Sequence, residues 1–400
     1  MTVAPERGAP APARAAGERA PATATVARRA GGALVAVLPQ WLTARAVVLG
    51  ALGLAHLFVS RTRPGNPVVA RTVHQGLLAW DAGWYQAIAR FGYVPLGHQS
   101  LRFFPLFPLA GRALGVLPWV TDGAALLVVA NVASLVGTAL LYVLVRRELG
   151  DGGAARRATW LLVLAPPAFT FVMGYAEGLL LVWTVGCFLA LRPAPGRRPA
   201  WWLAAACGVG AALTRPLGVV LVLPVAVEVV RRWSGASRPD RAAMTAAVAG
   251  PAVGLAAFLG WAQGAVGDFF LPVRVQTQAG HHGGLTDPLS TLWHDATGVL
   301  HHHFGTALHV PWVLLSLGLL VVCWQRLPAS YGAFATGVVV VALSGTNLDS
   351  FERYALSAFP LVMVAAMVTR DARVERVVLT LVSAGLAGYA LLAFLGLSVP

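Results

Sequence analysis

The chain has 400 residues, 57% of them hydrophobic and only 12% charged, with a formal net charge of +14. A water-facing domain carries about a quarter charged residues. This sequence has too few to cover a soluble surface, and it predicts an all-α, polytopic membrane bundle. The positive charge does not read as a nucleic-acid footprint, because every basic residue is Arg and the arginines sit in short clusters between apolar runs.

In chain order, residues 1–35 are rich in Ala, Pro and Arg without an apolar run. They predict a disordered cytoplasmic tail, and not a signal peptide. Residues 36–400 then predict a single transmembrane domain. A spanning helix needs about 20 mostly apolar residues. Runs of that kind fall near 43–60, 124–145, 159–174, 178–192, 201–214, 217–230, 243–262, 309–325, 330–346, 355–369 and 377–397, which predicts about eleven crossings. Arg clusters at 146–157, 192–198, 231–241 and 370–376 all fall on one side under that count. By the positive-inside rule the N-terminus is then cytoplasmic and the C-terminus external.

The same count places 61–123 and 263–308 outside the cell membrane. The first contains FFPLFPLAGRAL, apolar with single charges, which predicts helices lying along the membrane surface. Cys187, Cys207 and Cys323 lie inside apolar runs without metal-ligand spacing and read as buried free thiols. No inverted or solenoid repeat is evident, which argues against a transporter architecture.

Chemistry concentrates in LLAWDAGWYQAIARFGYVPLG, residues 77–97. On a helix, Asp81, Trp84, Tyr85 and Ile88 share one face, with Trp80 alongside. A carboxylate beside flat rings at a membrane surface suits sugars: rings stack on the C–H face while the acid takes a hydroxyl proton. The plainer reading is an interfacial aromatic belt with a solvated Asp.

WDAGWYQAIARFGY followed by RFFPLFPL resembles the first-loop signature of PIG-V-type mannosyltransferases, in the GT-C glycosyltransferase superfamily. APPAFTFVMGYAEGLLL (165–181), ALTRPLG (212–218) and ERYALSAFPL (352–361) continue the resemblance in the same order. It implies a GT-C-like architecture and an inverting transfer of mannose from a polyprenyl-phosphate donor to a lipid, glycan or protein acceptor. That transfer takes place on the external face, without metal or other cofactor. It also implies that Asp81 is the general base. The sequence departs from that pattern in two places: no second acid adjoins Asp81, and the second external segment is His-rich.

A lipid phosphate needs charge-assisted donors, and guanidinium binds it bidentately. Arg215, in TRP between two apolar runs, and Arg353, in DSFERY, are the candidates; the plainer readings are snorkelling and a surface pair with Glu352. Glu177, in GYAEG, reads as an acid that binds sugar hydroxyls or pairs with one of these arginines, or else as a solvated turn. Arg102 reads as an anchor for a surface helix or a donor contact. Glu228 reads as the partner of Arg231 and Arg232 on its own helix. His281, His282, His294, His301, His302, His303 and His309 lack any metal-binding frame. The rival readings are a multi-pass transporter or lipid flippase, and a non-catalytic partner of a membrane enzyme.

Overall fold

A computed structural model describes residues 22–62, 66–278 and 309–397 except 346, 347 and 349, with isolated positions between 279 and 308. Every regular element among them is a helix. The chain forms α1 (Ala22–Thr62), α2 (Pro67–Gln75), α3 (Asp81–Phe91), α4 (Leu106–Leu114), α5 (Asp122–Leu149) and α6 (Gly152–Leu164). It continues through α7 (Glu177–Leu191), α8 (Trp201–Thr214), α9 (Val222–Arg232), α10 (Arg238–Val266) and α11 (Leu271–Gln276). The last helices are α12 (Val310–Arg326), α13 (Ala329–Leu343), α14 (Phe351–Ser357), α15 (Phe359–Val368) and α16 (Ala372–Phe394).

Among the described residues, four stretches are long and apolar enough to cross a bilayer: Gly31–Thr62, Asp122–Leu149, Arg238–Val266 and Ala372–Phe394. α14 and α15 together would make a fifth, bent by 81°. Length and composition therefore account for four or five of the eleven expected crossings. The other runs are shorter or interrupted, and proline explains two of the interruptions. Pro166 and Pro167 follow the end of α6 at Leu164 and turn the chain into a 3₁₀ segment, Pro166–Phe171. Pro216 follows Arg215 and ends α8 at Thr214, because the residue before proline is driven out of the helical region. Residues 22–35, expected to belong to a disordered tail, are the first turns of α1. Their Ala and Arg content favours helix, and no proline interrupts them.

Small residues let the helices approach closely. A Cβ on Gly250 of α10 would meet Ala205 O of α8 at 2.5 Å, and one on Gly254 would meet Val209 O at 2.6 Å. Gly178 sets α7 against α5 in the same way, its Cβ position being 2.9 Å from Ala130 O. The segment between α2 and α5, by contrast, builds a second core of its own. Tyr85, Ile88, Phe103, Phe104 and Phe107 pack with Leu126 of α5 and Phe258 of α10. α3 and α4, with 11 and 9 residues, are too short to span and pack as a cap against α5.

The Arg-rich turns gather at the end of the bundle away from this cap. Arg147 donates to Leu189 O and Arg192 O, at 3.2 and 2.7 Å. Arg192 grips Glu148 through two nitrogens, at 2.9 and 3.0 Å, and reaches Glu228 at 3.2 Å. Glu228 pairs with Arg232 on its own helix, and it also accepts from Ser330 Oγ at 2.7 Å. The expected pairing is thus one part of a network joining α5, α7, α9 and α13. Cys187, Cys207 and Cys323 are buried free thiols.

Candidate active site

Asp81 opens α3, and its position is fixed by the residue before it. Trp80 is the N-cap with φ +60°, a conformation that large side chains rarely adopt. It is held there by an indole N–H donated to Ala393 O of α16 at 2.9 Å. The Asp81 backbone N–H donates to the Tyr175 hydroxyl at 3.3 Å. With the turn so pinned, the carboxylate points into the bundle.

There it meets Arg353, in the first turns of α14, whose Nη1 donates to Asp81 Oδ2 at 2.8 Å. Arg353 Nε lies 3.5 Å from Glu177 Oε1, and the same carboxylate oxygen accepts from Arg215 Nη1. The four charges therefore alternate: Asp81, Arg353, Glu177, Arg215. Glu177 is 4% exposed, Arg353 7%, Arg215 11% and Asp81 29%, so only the first acid faces an opening. Glu177 stands at the N-terminus of α7, where a negative charge suits the helix dipole. Its Oε2 is buried with no hydrogen-bond partner among the described residues. Tyr354 backs both cations, 5.1 Å from Arg215 and 5.8 Å from Arg353.

Burial alone would raise the Asp81 carboxyl. Arg353, through charge and hydrogen bond, and then Arg215 and Arg102 outweigh it and hold the group below its ordinary value.

These groups line a chamber of about 40 Å³. Arg102, Tyr85, Phe103 and Gln276 complete the wall, and Gln276 donates to Arg102 O at 2.7 Å. Through Arg215, Pro216, Gln276 and Tyr354 the chamber shares its boundary with an apolar cavity of about 570 Å³. Val220 and Leu223 form one side of that cavity and Val340 and Val341 the other.

Six of the sequence candidates thus come together: Asp81, Tyr85, Arg102, Arg215 and Arg353 around the chamber, with Glu177 behind them. Trp80 and Trp84 do not line it. Trp80 is turned to α16, and Trp84 stacks on Phe103 at 5.7 Å with the planes 16° apart. Their rings are used in packing. Arg353 does not pair with Glu352, which instead meets His309 Nδ1 at 2.7 Å. The other histidines of that segment, His281, His282, His294 and His301 to His303, lie outside the described residues. Among the described residues no three His, Cys, Asp or Glu side chains converge as a metal site.

Sequence reasoning missed Tyr175, Tyr354 and Gln276, and it missed Arg45. Arg45 is an arginine inside the first apolar run of α1. It donates to Asn131 Oδ1 at 3.0 Å and Phe171 O at 2.9 Å, and also to Ser134 Oγ. Asn131 in turn donates to Val172 O at 3.0 Å. This bracket fixes the irregular segment that delivers Tyr175 and Glu177. The signal was present, because a charge within an apolar run must find partners.

No known protein family matches the chain, and no curated protein matches it.

Proposed function

We propose that this protein is a membrane glycosyltransferase that moves a sugar, mannose by the family resemblance, from a polyprenyl-phosphate donor to an acceptor hydroxyl. The observation that carries the reading is the junction at Arg215 and Tyr354. There a chamber with one carboxylate and three arginines shares a wall with an apolar cavity of about 570 Å³. A donor with a charged head and a hydrocarbon tail needs that sequence of environments, with no nucleotide pocket.

In this reading the prenyl chain lies between Val220 and Val341, and the phosphate sits at Arg215 and Arg353. The anomeric carbon faces Asp81. The acceptor oxygen loses its proton to Asp81 and attacks the anomeric carbon from the face opposite the phosphate. The bond from that carbon to the phosphate oxygen breaks, and polyprenyl phosphate leaves with the electron pair. The two guanidiniums stabilise the charge that develops on it. A phosphate leaving group needs no general acid, so one carboxylate suffices.

The resting site is narrow. A chamber of about 40 Å³ has room for a few waters and not a hexose. Donor entry must therefore part Arg353 from Asp81. A phosphate competing for Arg353 does this, and it frees the carboxylate whose basicity Arg353 had suppressed. The test is transfer from radiolabelled polyprenyl-phosphate mannose by the purified chain. Label appearing in new glycolipid or glycoprotein supports the reading, and its absence with every acceptor class removes it.

A further inference from the structure

A second cavity, of about 650 Å³, lies between α6, α12 and α15. It is at the end of the bundle away from Asp81. α15 runs about 15 Å down from the break after Arg353, and α6 begins about 20 Å before the segment leading to Glu177. The cavity is lined by Arg157, Arg326 and Arg370, with Asp151 the one acid, and its apolar side is Val322, Met367 and Val368.

The three arginines are not equivalent. Arg157 is committed to structure: its Nε donates to Ala366 O at 3.0 Å, and its Nη2 lies 3.6 Å from Asp151. Asp151 is likewise engaged as the N-cap of α6, accepting from Gly153 N at 2.7 Å. Arg326 and Arg370 are exposed, and neither has an acidic partner among the described residues. The acid in this cavity is thus already neutralised, and two unspent cations remain beside an apolar wall.

The geometry points to a binding site for an anionic phospholipid, its phosphate held by Arg326 and Arg370 and its upper acyl segments against Val322, Met367 and Val368. A free phosphate would satisfy the cations but leave the apolar wall uncovered. A zwitterionic lipid would cover the wall but bring a cation to the arginines. An anionic headgroup meets both requirements, as basic pockets between membrane helices do. The site is independent of the proposed transfer chemistry.

The test uses the full chain, delipidated in detergent and titrated with phosphatidylglycerol, phosphatidylcholine or inorganic phosphate. Bound lipid is counted by native mass spectrometry. One phosphatidylglycerol is expected to be retained per chain, at a concentration on the order of tenfold lower than phosphatidylcholine requires. Arg326→Gln with Arg370→Gln is expected to abolish that preference. Arg231→Gln with Arg373→Gln removes the same charge from exposed positions outside the cavity and is expected to preserve it. The proposal is overturned by equal retention of the two lipids in the wild-type chain, which needs no variant to fold. It is equally overturned by displacement of phosphatidylglycerol with millimolar phosphate, or by loss of preference in the control pair.

Discussion

Arg353 and Asp81 are 272 positions apart in sequence, and their side chains meet at 2.8 Å. The same guanidinium lies 3.5 Å from Glu177, so one cation links an acid at the chamber to an acid sealed behind it. In the proposed reaction this links base and phosphate clamp, because whatever draws Arg353 away changes the basicity of Asp81.

Asp81→Asn keeps the shape and hydrogen-bonding reach of the side chain and removes its basicity. Transfer is expected to fall by about 10²–10⁴-fold, the usual contribution of a general base, with expression and membrane insertion unchanged. Asp81→Glu is also expected to be badly impaired, because an added methylene displaces the carboxylate from its proton-transfer position. Turnover by purified Asp81→Asn within a few-fold of wild type would remove Asp81 from the mechanism.

Arg353 holds the Asp81 carboxyl below its ordinary value, so the free protein should keep this group ionised to a lower pH than an unpaired aspartate. A depressed carboxyl adds stability that is fully present above the unfolded value and is lost as pH falls through the folded one. Thermal melting of wild type should therefore decline in acid more steeply than that of Asp81→Asn. The acid limb of kcat/KM should likewise lie below the usual carboxylate range. Parallel melting curves for the two proteins would show that the pair does not form in solution.

Glu177 is the shared counter-ion of Arg215 and Arg353. Glu177→Gln leaves the buried Arg215 guanidinium without its anion and Arg353 with Asp81 alone, and breaking such a buried pairing costs about 3–5 kcal/mol. A large drop in melting temperature is expected, partly restored when a phosphate-bearing lipid supplies the missing charge. Arg215→Lys retains the charge but loses the fork, so it should melt nearly as wild type while KM for the donor rises. A Lys variant with normal donor use would leave Arg215 as the structural partner of Glu177 alone.

How much of this could be read from sequence depends on how local each determinant is. The run 201–214 coincides with α8 because an uninterrupted apolar stretch declares its own length. The runs at 159–174 and 217–230 are not single helices: Pro166 and Pro167 interrupt the first from within, and the second starts inside the 3₁₀ segment Pro216–Leu221 before α9 begins at Val222. Asp81 stood out because an acid among aromatic residues is visible in one window. Trp80 misled in the same window: at φ +60° it precedes the helix and does not lie on its face. Tyr175, Gln276 and Tyr354 come from three distant segments, and no local pattern could have placed them beside Asp81.

Arg45 offers a test of how the irregular segment is held. Arg45→Met fills similar space but leaves Phe171 O and Asn131 Oδ1 without their donor, at about 1–3 kcal/mol for each buried group left unsatisfied. The variant should be less stable, with raised donor KM as Tyr175 and Glu177 lose their fixed approach. Unchanged melting would mean that the Asn131 contact to Val172 alone secures the segment.

The apolar cavity makes the sharpest separation between binding and chemistry. Val341 lines it on the side facing Val220 and Leu223, and the side chain is 46% exposed, so a larger residue can be placed there without entering the core. Val341→Trp should occupy the space proposed for the prenyl chain while leaving Asp81, Arg215 and Arg353 undisturbed. Donors with long prenyl chains should then show a raised KM. A donor cut to one or two isoprene units, which barely enters the cavity, should be used as by wild type. Because the catalytic carboxylate is untouched, kcat at saturating donor should change little. Equal impairment with long and short donors would mean the substitution disturbs the chamber itself. Undiminished use of the long donor would mean the chain runs elsewhere, and the junction at Arg215 would lose its role as the entrance for lipid.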